Sequence, residues 1–318
     1  MNTLALAALA LLIETFVGYP AALQNLIGHP VQWIGSLITY LDEGLNDGEA
    51  AASQNRTNGV IAVVFILAAS ILPAVIVTYL LAKLHFGWVI NIALATSLLA
   101  QKSLTEHVSD VANALPQGLD DARQTVAQIV GRDPTQLDKG GIAKAALESL
   151  AENTSDGVVA PFLFYAVAGL PGLVAYKAIN TADSMIGHKS EKYLNFGWAA
   201  ARLDDLLNLI PARVTGLLFI AAARANNKTA MLGAWSTMWR DAPKHASPNA
   251  GWPEAAMASA LGFSFGGPRS YDGTLVDLPT MGNGNQPKDE MDIAAGLTLQ
   301  RNAMALLLLL SAGLAIAL

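Results

Sequence analysis

The sequence predicts an all-α fold, a polytopic helical bundle integral to a membrane, with some helices broken or re-entrant. Hydrophobic residues make up 53% of the 318 residues and charged residues only 14%, and the mean hydropathy is +0.39. Long apolar runs recur along the chain, and several carry Gly or Pro where a straight span would continue. Helices satisfy their own backbone groups in lipid, and broken helices are tolerated where they face protein or a wet cavity.

The apolar runs predict where the helices lie within a single membrane domain covering 1–318. A helix needs about 20 apolar residues to cross the hydrocarbon core, and the runs lie near 3–19, 59–82, 87–104, 157–180, 205–225 and 301–318. The run 59–82 is the clearest span, and together with 87–104 it predicts a helical hairpin. Polar segments separate the runs: 42–58 is predicted to be a loop, and the longest are 105–156 and 226–299.

Helix breakers inside one run decide the predicted topology. The run 157–180 contains Pro161, Gly169, Pro171 and Gly172. If this run and all the others crossed the membrane, 181–204 would lie on the opposite side from 105–156, whose Lys and Arg residues favour the cytoplasm. We therefore expect 157–180 to enter and return, or to bend in a wet cavity, so that 131–205 lies on the cytoplasmic side.

Composition and missing motifs exclude several classes of function. The net charge of −6 argues against nucleic-acid binding, which needs a basic face. The chain has no cysteine, so it has no disulfide framework, zinc–thiolate site or cysteine nucleophile. No phosphate-binding loop or dinucleotide fingerprint occurs. The GFSFG of 262–266 fits the spacing of a serine nucleophile elbow but lacks a preceding strand and a following helix.

Three clusters of carboxylate and amide side chains recur between Gly131 and Arg213. Their members are Glu148, Glu152 and Asp156, then Asn180, Asp183 and Ser184, then Asp204, Asp205 and Asn208. The first triplet recurs at every fourth residue, which predicts three carboxylates on one helical face, at a cost of roughly 0.2–0.5 kcal/mol per like-charge pair. Clusters of carboxylate and amide oxygens suit Mg²⁺, which proteins commonly bind together with the phosphates of a substrate. The alternative is that they are solvated helix faces and N-caps.

Several long segments carry a resemblance to a known family. They are ESLAENTSDGVVAPFLFYAVAGLPG at 148–172, YKAINTADSMIGHKSEKYLNFGWAAARLDDLLNLIPAR at 176–213 and SPNAGWPEAAMASALG at 247–262, supported by GRDPTQLD at 131–138 and GHPVQWIG at 28–35. Almost end to end, the chain resembles the adenosylcobinamide-phosphate synthase family, membrane enzymes of cobalamin biosynthesis. It departs from the family pattern at Tyr19, where Asp is usual.

The resemblance implies an ATP- and Mg²⁺-dependent ligase in the inner membrane. Its corrinoid substrate, adenosylcobyric acid, would be joined through a free propionate to aminopropanol or its O-phosphate, giving adenosylcobinamide or its phosphate. Phosphorylation of the propionate would give a reactive acyl phosphate, and Mg²⁺ would neutralise the charge in transfer. The lipid bilayer and enzymes of the nucleotide-loop pathway are the expected partners.

With this resemblance, the polar residues receive three predicted roles. The predicted catalytic residues are Glu148, Glu152, Asp183, His188 and Lys177. The predicted metal ligands are Asp156, Asp204 and Asp205. The predicted substrate- or nucleotide-binding residues are Arg132, Asn153, Asn180, Ser184, Trp198, Arg202, Arg213, Ser247, Asn249 and Trp252. The arginines suit phosphates or a carboxylate, and the tryptophans offer flat faces to a macrocycle.

Two other classes of function remain as alternatives. A membrane transporter also carries Asp and Asn on broken apolar helices, but 105–156 and 226–299 are large for a compact carrier, and no inverted repeat is visible. A corrinoid-binding subunit of a biosynthetic assembly would explain the hydropathy but not the acidic clusters. Substrate-dependent ADP release separates the enzyme from both.

Overall fold

The computed structural model describes residues 2–131, 133–224, 228–267, 269–271, 274–276 and 278–318. Over these ranges the chain is almost entirely helical with a few very short strands, which confirms the all-α fold. It divides into two compact units. The first comprises Met1–Ala100, Ala160–Asn208 and Ser311–Leu318, and the second comprises Gln101–Val159 and Leu209–Leu310. That they form a single membrane domain stays a prediction.

The elements follow one another along the chain as a series of helices with one strand-forming segment. The helices are α1 (Thr3–Val17), α2 (Ala21–Ile27), α3 (Pro30–Leu45), α4 (Ala52–Leu81), α5 (Gly87–Thr96), α6 (Gln101–Ala114), α7 (Leu119–Val126), α8 (Lys139–Thr154), α9 (Ala160–Ile186), α10 (Trp198–Leu207), α11 (Leu209–Ala223), α12 (Lys228–Asp241), α13 (Gly251–Leu261) and α14 (Glu290–Ala317). The strands are β1 (Phe265–Gly266), β2 (Arg269–Tyr271), β3 (Thr274–Val276) and β4 (Thr280–Met281). Ser155–Val159 is π-helical, and Ala242–Lys244 is a 3-10 turn.

The helices make the chain a multi-pass membrane protein. Among the described residues, three helical segments are long and apolar enough to cross a bilayer, and these are Ala52–Leu81, Lys139–Ile186 and Glu290–Ala317. Two bent pairs pass the same test, Thr3–Val17 with Ala21–Leu45 and Trp198–Leu207 with Leu209–Ala223, which raises the number to five if each pair is one span. The first pair bends by 98°, at Pro20 and the positive φ of Gly18.

Helix α9 is broken where the sequence predicts a break. Gly169 has a φ of 62° and a ψ of −160°, outside the helical region, and Pro171 follows it inside the helix. A Cβ at Gly172 would lie 2.7 Å from the carbonyl oxygen of Phe164, so the chain turns tightly there. Pro161 does not interrupt the helical segment Lys139–Ile186, and the π-helical turn Ser155–Val159 lies directly before it. The side of the membrane reached by 157–180 stays a prediction.

The prediction of a loop over 42–58 is wrong for most of its length. Helix α3 continues to Leu45 and α4 begins at Ala52, so only a short turn separates them. The polar residues that suggest a solvated loop instead form hydrogen bonds that stabilise the turn. The Asn58 side-chain amide donates to the Leu45 carbonyl at 2.8 Å, and that of Asn55 donates to Asn46 Oδ1 at 3.0 Å.

The predicted hairpin of 59–104 forms, but its second helix is short. Helix α5 packs against α1 and α4 and ends at Thr96, and α6 begins only at Gln101. The Thr96 hydroxyl donates to the Ile92 carbonyl at 2.8 Å, and the Ser97 hydroxyl donates to that of Leu94 at 2.7 Å. Side-chain hydroxyl groups that donate hydrogen bonds to backbone carbonyls of the preceding turn compete with the backbone hydrogen bonds that would extend the helix.

Each unit has its own packed interior. In the first unit, α3, α4, α9 and α10 share a buried hydrophobic core that includes Ile66 and Ile179, and Phe196 joins it from the segment before α10. In the second unit, α11, α12 and α13 pack together. A Cβ at Gly216 would lie 2.6 Å from Met238 Sδ and 3.2 Å from the Trp252 carbonyl, so α11 needs glycine there. Strands β1 and β4 pair antiparallel beside α13.

Candidate functional site

In the first unit, a buried polar network lies between α9 and α10. The Asp204 carboxylate accepts a hydrogen bond from the Asn208 side-chain amide at 2.9 Å and one from that of Asn180 at 3.4 Å. The Tyr176 hydroxyl donates to Asn208 Oδ1 at 2.9 Å. Each helix contributes a pair spaced four residues apart, which puts both members of a pair on one face. The structure thus brings the predicted residues Asn180 and Asp204 together and adds Tyr176, which the sequence analysis did not identify.

The other predicted residues of α9 and α10 lie around this network. Asp205 faces a more exposed side, where its carboxylate lies 3.7 Å from the exposed Arg202 guanidinium. Asp183 is half-buried on α9. The Ser184 hydroxyl donates to the Asn180 carbonyl at 2.9 Å. Lys177, also half-buried, acts on Asp204 only through its charge.

Two further predicted residues lie near the surface, His188 between α9 and α10 and Trp198 at the start of α10. His188 is exposed. Trp198 is also exposed, and the Arg56 guanidinium lies 5.1 Å from its ring centre. Lys192, which the sequence analysis did not identify, donates to Asp42 Oδ2 and to the Tyr193 hydroxyl, each at 2.8 Å. These bonds raise the pKa of Lys192 well above its usual range, the bond to Asp42 contributing most.

In the second unit, the segment 247–254 forms a tight turn that leads into α13. Ser247 Oγ accepts hydrogen bonds from the backbone N–H groups of Asn249 and Ala250, both at 3.2 Å. The Trp252 indole donates to the Pro248 carbonyl at 3.0 Å, and the Arg213 guanidinium lies 4.1 Å from the Trp252 ring centre. The structure therefore places four predicted binding residues, Arg213, Ser247, Asn249 and Trp252, in one small region.

A histidine and a carboxylate that the sequence analysis did not identify border the same turn. Glu254 is buried in the first turn of α13, and its Oε1 lies 3.8 Å from His245 Nε2. His245 Nδ1 accepts from the Ser247 N–H at 3.0 Å. With Nδ1 accepting that N–H, a neutral imidazole carries its proton on Nε2, the nitrogen that faces the Glu254 carboxylate. The sequence signal was the Glu inside the SPNAGWPE motif.

The predicted face of three carboxylates on α8 is not one continuous α-helical face. Glu148 is buried, and its Oε1 accepts the Gly266 N–H at 2.7 Å. Glu152 is exposed, and Asp156 lies beyond the end of α8 in the π-helical segment Ser155–Val159. The wider π turn shifts the spacing of side chains, and it is not visible in the sequence.

Glu148 and its neighbours on α8 make contacts that position the backbone. The Lys144 ammonium donates to the Gly266 carbonyl at 2.8 Å, so Lys144 and Glu148 hold both backbone groups of Gly266. The Asn153 side-chain amide donates to the Ser149 carbonyl at 3.0 Å on its own helix. The predicted catalytic role of Glu148 stays a prediction, but this carboxylate also fixes the start of the β1–β4 pair.

The magnesium ligands stay a prediction. In the described part of the chain, no three His, Cys, Asp or Glu side chains are grouped as a metal site requires. Protein-bound Mg²⁺, however, commonly takes one or two carboxylates, with waters and substrate phosphates completing its shell. Asp205, on a partly exposed face next to Asp204, fits that requirement by its donor chemistry. Arg132 lies outside the described residues.

The comparisons with known proteins agree along almost the whole chain. Residues 7–300 match the family described as CobD/Cbib protein. Three relatives carry the name "Cobalamin biosynthesis protein CobD". That of Rhodobacter capsulatus is 48% identical over 307 residues, covering 96% of this chain and 95% of the relative. That of Brucella suis is 45% identical over 304 residues (94% and 93%), and that of Sinorhizobium fredii is 49% identical over 294 residues (91% and 90%). No solved structure matches the chain.

Proposed function

Because the chain belongs to the CobD/Cbib protein family, we propose that it acts in cobalamin biosynthesis as an adenosylcobinamide-phosphate synthase. The substrate is a corrinoid, adenosylcobyric acid, and the acceptor is aminopropanol or its O-phosphate. One observation carries the proposal: relatives named for cobalamin biosynthesis align with more than nine-tenths of this chain at 45–49% identity. Identity at this level over nearly the full length supports a common reaction.

The proposed reaction forms one amide bond at the expense of ATP. An oxygen of the corrinoid propionate attacks the γ-phosphorus, and the bond to the ADP oxygen breaks. The acceptor amine then attacks the acyl carbon, the acyl carbon–oxygen bond breaks, and inorganic phosphate leaves. The amine nitrogen gives up a proton to a base. Bound Mg²⁺ would supply positive charge to the nucleotide phosphates.

In the second unit, the residues around 247–254 suit anion binding and proton transfer. Arg213 presents a planar fork of N–H donors that matches a carboxylate or a phosphate, and the Trp252 ring at 4.1 Å keeps the guanidinium in place. Because His245 Nδ1 already accepts the Ser247 N–H, the Glu254 carboxylate beside His245 Nε2 is the better candidate to accept the amine proton. We assign the corrinoid carboxylate or a phosphate to Arg213 and the base to Glu254.

In the first unit, the network around Asp204 suits a cation. Asp205 would hold Mg²⁺ from the more exposed side, and Asp204 would reinforce the negative charge from the buried side. The hydrogen bonds from Asn180 and Asn208 fix the orientation of Asp204. Ligands oriented in this way bind metal more tightly, since the carboxylate does not have to be ordered when the ion arrives.

Purified protein in detergent tests the proposed reaction directly. We expect ADP release that requires adenosylcobyric acid and one of the two amino-alcohol acceptors, together with an amide product seen by mass spectrometry. Arg213→Lys keeps the charge but removes the fork and should lower the rate. Arg301→Lys, at an exposed guanidinium 3.3 Å from the Thr298 hydroxyl, is the matched control and should not.

The two alternative functions give different results in the same assay. A transporter would accumulate corrinoid in sealed vesicles without forming an amide, and a binding subunit would retain corrinoid without releasing ADP. Corrinoid binding without ADP release from either acceptor would therefore overturn the ligase proposal.

We also propose that the protein lies in the inner membrane, with 131–205 on the cytoplasmic side, where ATP is available. The chain has no cysteine of its own, so single cysteines report on sidedness. An impermeant thiol reagent applied to oriented vesicles should label Ser190→Cys from the same side as Gln128→Cys, both of which are exposed positions. Labelling from opposite sides would contradict this topology.

A further inference from the structure

Helix α12 has three faces of different character. It packs against α11 and α13 and buries Ala234, Thr237, Met238 and Asp241 on that side. Away from this side the helix carries Leu232, Trp235 and Trp239, with exposed fractions of 54%, 48% and 51%. At about 100° per residue, these three side chains lie within about 60° of one another around the helix. They form one stripe, which we call the Leu–Trp stripe.

A polar strip runs beside the Leu–Trp stripe on the same helix. Ser236 and Arg240 are exposed and lie roughly 40° and 80° further round than Leu232. The helix is therefore packed on one side, apolar on a second and polar on a third. This division is typical of a helix that lies in the plane of a membrane interface with one flank towards lipid and another towards water.

The end of the preceding helix places α12 near the bilayer. Helix α11 is the second part of a segment able to cross a membrane and ends at Ala223, and α12 begins at Lys228. Five residue steps span at most roughly 18 Å. The headgroup layer extends about 5–8 Å beyond the hydrocarbon core on each side. The first turn of α12 therefore lies within reach of the headgroup layer.

The chemistry of the exposed residues matches that layer. Tryptophan is enriched where membranes meet water, because its ring is apolar and its N–H is polar. The exposed Lys228 begins the helix, where a cation complements lipid phosphates, whereas Arg240 and Lys244 at its far end are paired with Asp241. Two large aromatic side chains and a leucine directed at water would be an unusual apolar patch for a soluble surface.

We infer that α12 lies in the membrane interface, with the Leu–Trp stripe inserted among the lipid headgroups and the upper acyl chains. This conclusion does not depend on the proposed reaction. It also assigns a location to the segment 247–254, because the Trp239 and Trp252 rings are in edge-to-face contact at 5.0 Å. The turn that carries Ser247, Asn249 and Trp252 then lies near the membrane surface.

Spin labels on single cysteines test the placement. The full chain is placed in nanodiscs of phosphatidylcholine and phosphatidylglycerol and labelled at Leu232→Cys or at Ser236→Cys. These are a matched pair, since both positions are exposed on the same helix. Molecular oxygen concentrates in lipid, whereas a charged nickel chelate stays in water. We expect the ratio of oxygen to nickel accessibility to be severalfold higher at position 232 than at position 236.

Reference positions and a second stripe residue make every outcome decisive. Leu72→Cys, exposed on the span α4, gives the lipid value, and Ser190→Cys, in an exposed segment, gives the water value. A result at position 232 close to that at Ser190 would overturn the inference, and so would exclusion of both reagents, which indicates protein contact. Trp235→Cys must give the same answer as Leu232→Cys, which protects the test against a misfolded variant.

Discussion

Asp204 in the first unit and Asp241 in the second are both buried aspartates, and their charges are compensated in different ways. Asp204 in the first unit is 8% exposed and Asp241 in the second is 1% exposed. The hydrogen bonds to Asp204 come from two neutral amides, those of Asn180 and Asn208. Asp241 accepts bonds from the Arg240 guanidinium at 2.8 and 2.6 Å and from the Lys244 ammonium at 2.7 Å.

This difference separates a structural carboxylate from a candidate functional one. Two cations in direct contact neutralise the charge of Asp241, and a fourth hydrogen bond, from the Gly282 N–H at 3.0 Å, ties the end of α12 to the residue that follows β4. The charge of Asp204 is stabilised by the dipoles of the two side-chain amides. The nearby charged groups that act on it are Asp205, which is also negative, and Lys177, which is positive. A buried carboxylate that is held by neutral amides rather than by a directly bonded cation is costly, so it indicates function more strongly than a neutralised pair does.

The largest effect on stability should come from Asp241→Asn. The substitution keeps the size of the side chain but leaves two cations facing a neutral amide. Breaking a buried ion pair costs roughly 3–5 kcal/mol, and because Arg240 and Lys244 are half-exposed and can turn to water, we expect roughly 2–3 kcal/mol. Unfolding in detergent at a fixed scan rate measures the loss.

The control for Asp241→Asn is a surface pair of the same unit. Asp120 is 92% exposed and lies 3.4 Å from Arg123. Such pairs contribute at most about 1 kcal/mol, so Asp120→Asn should barely change the unfolding temperature. Equal effects of the two substitutions would show that Asp241 is not the anchor described here.

The first unit should respond in activity rather than in stability. Asp205→Asn removes one charge from a half-exposed pair with Arg202, so the free energy of unfolding should change by less than about 1 kcal/mol. If Asp205 holds Mg²⁺, turnover should fall by roughly 100-fold, as for loss of one group that stabilises charge in the transition state. Asp204→Asn should lose as much turnover and some stability as well, since it also alters the hydrogen bonds from Asn180 and Asn208.

Magnesium titration separates metal binding from misfolding in these variants. The defect of Asp205→Asn should be greatest at limiting Mg²⁺ and should shrink at saturating Mg²⁺. Near-normal turnover of both Asp204→Asn and Asp205→Asn at limiting Mg²⁺ would remove these residues from the metal site, and the contrast between the two units would then be one of packing only.

A pH series tests the neutralised charge of Asp241. The Arg240 guanidinium, followed by the Lys244 ammonium and the Gly282 N–H, holds the pKa of Asp241 well below its usual range. A folded-state pKa below the unfolded value of about 3.9 gives stability that is complete above that value and is lost as the pH falls. The stability gap between the natural protein and Asp241→Asn should be constant above about pH 5 and narrow below about pH 4. A difference in stability that does not change with pH would contradict the assignment of Asp241 as an ionised carboxylate.

Hydropathy and helix breakers predict the fold well because both act locally. The break at Gly169 follows from residues within the segment itself, since glycine adopts the positive φ that other residues avoid. The loop prediction for 42–58 fails because Asn46, Asn55 and Asn58 satisfy backbone and side-chain groups of the helix ends rather than meeting water. A polar side chain looks the same in the sequence whether it bonds to protein or to solvent.

The candidate site is only partly predictable, because its contacts join distant segments. The spacing of Asn180 and Asp204 suggests polar helix faces, but the choice of partners depends on how α9 packs against α10. Of the predicted stripe, Glu148 and Glu152 lie one turn apart on α8, whereas Asp156 lies in the π-helical segment that follows it. Asp241 and His245 belong to no periodic cluster of polar residues, so no sequence pattern identifies them. The structure identifies Asp241 through its contact with Gly282 and His245 through its contact with Glu254.

The smallest expected effect comes from Tyr176→Phe, and it sharpens the comparison most. Tyr176 donates to Asn208, which in turn donates to Asp204, so the hydroxyl supports the carboxylate through one intermediate. Loss of one neutral hydrogen bond in a buried site costs about 1 kcal/mol, and turnover at saturating Mg²⁺ should be nearly unchanged. If Asp204 serves a bound cation, the loosened network should raise the Mg²⁺ concentration needed for half-maximal turnover severalfold. If Asp204 is merely structural, as Asp241 is, only the unfolding temperature should fall, and the magnesium dependence of Tyr176→Phe should match that of the natural protein.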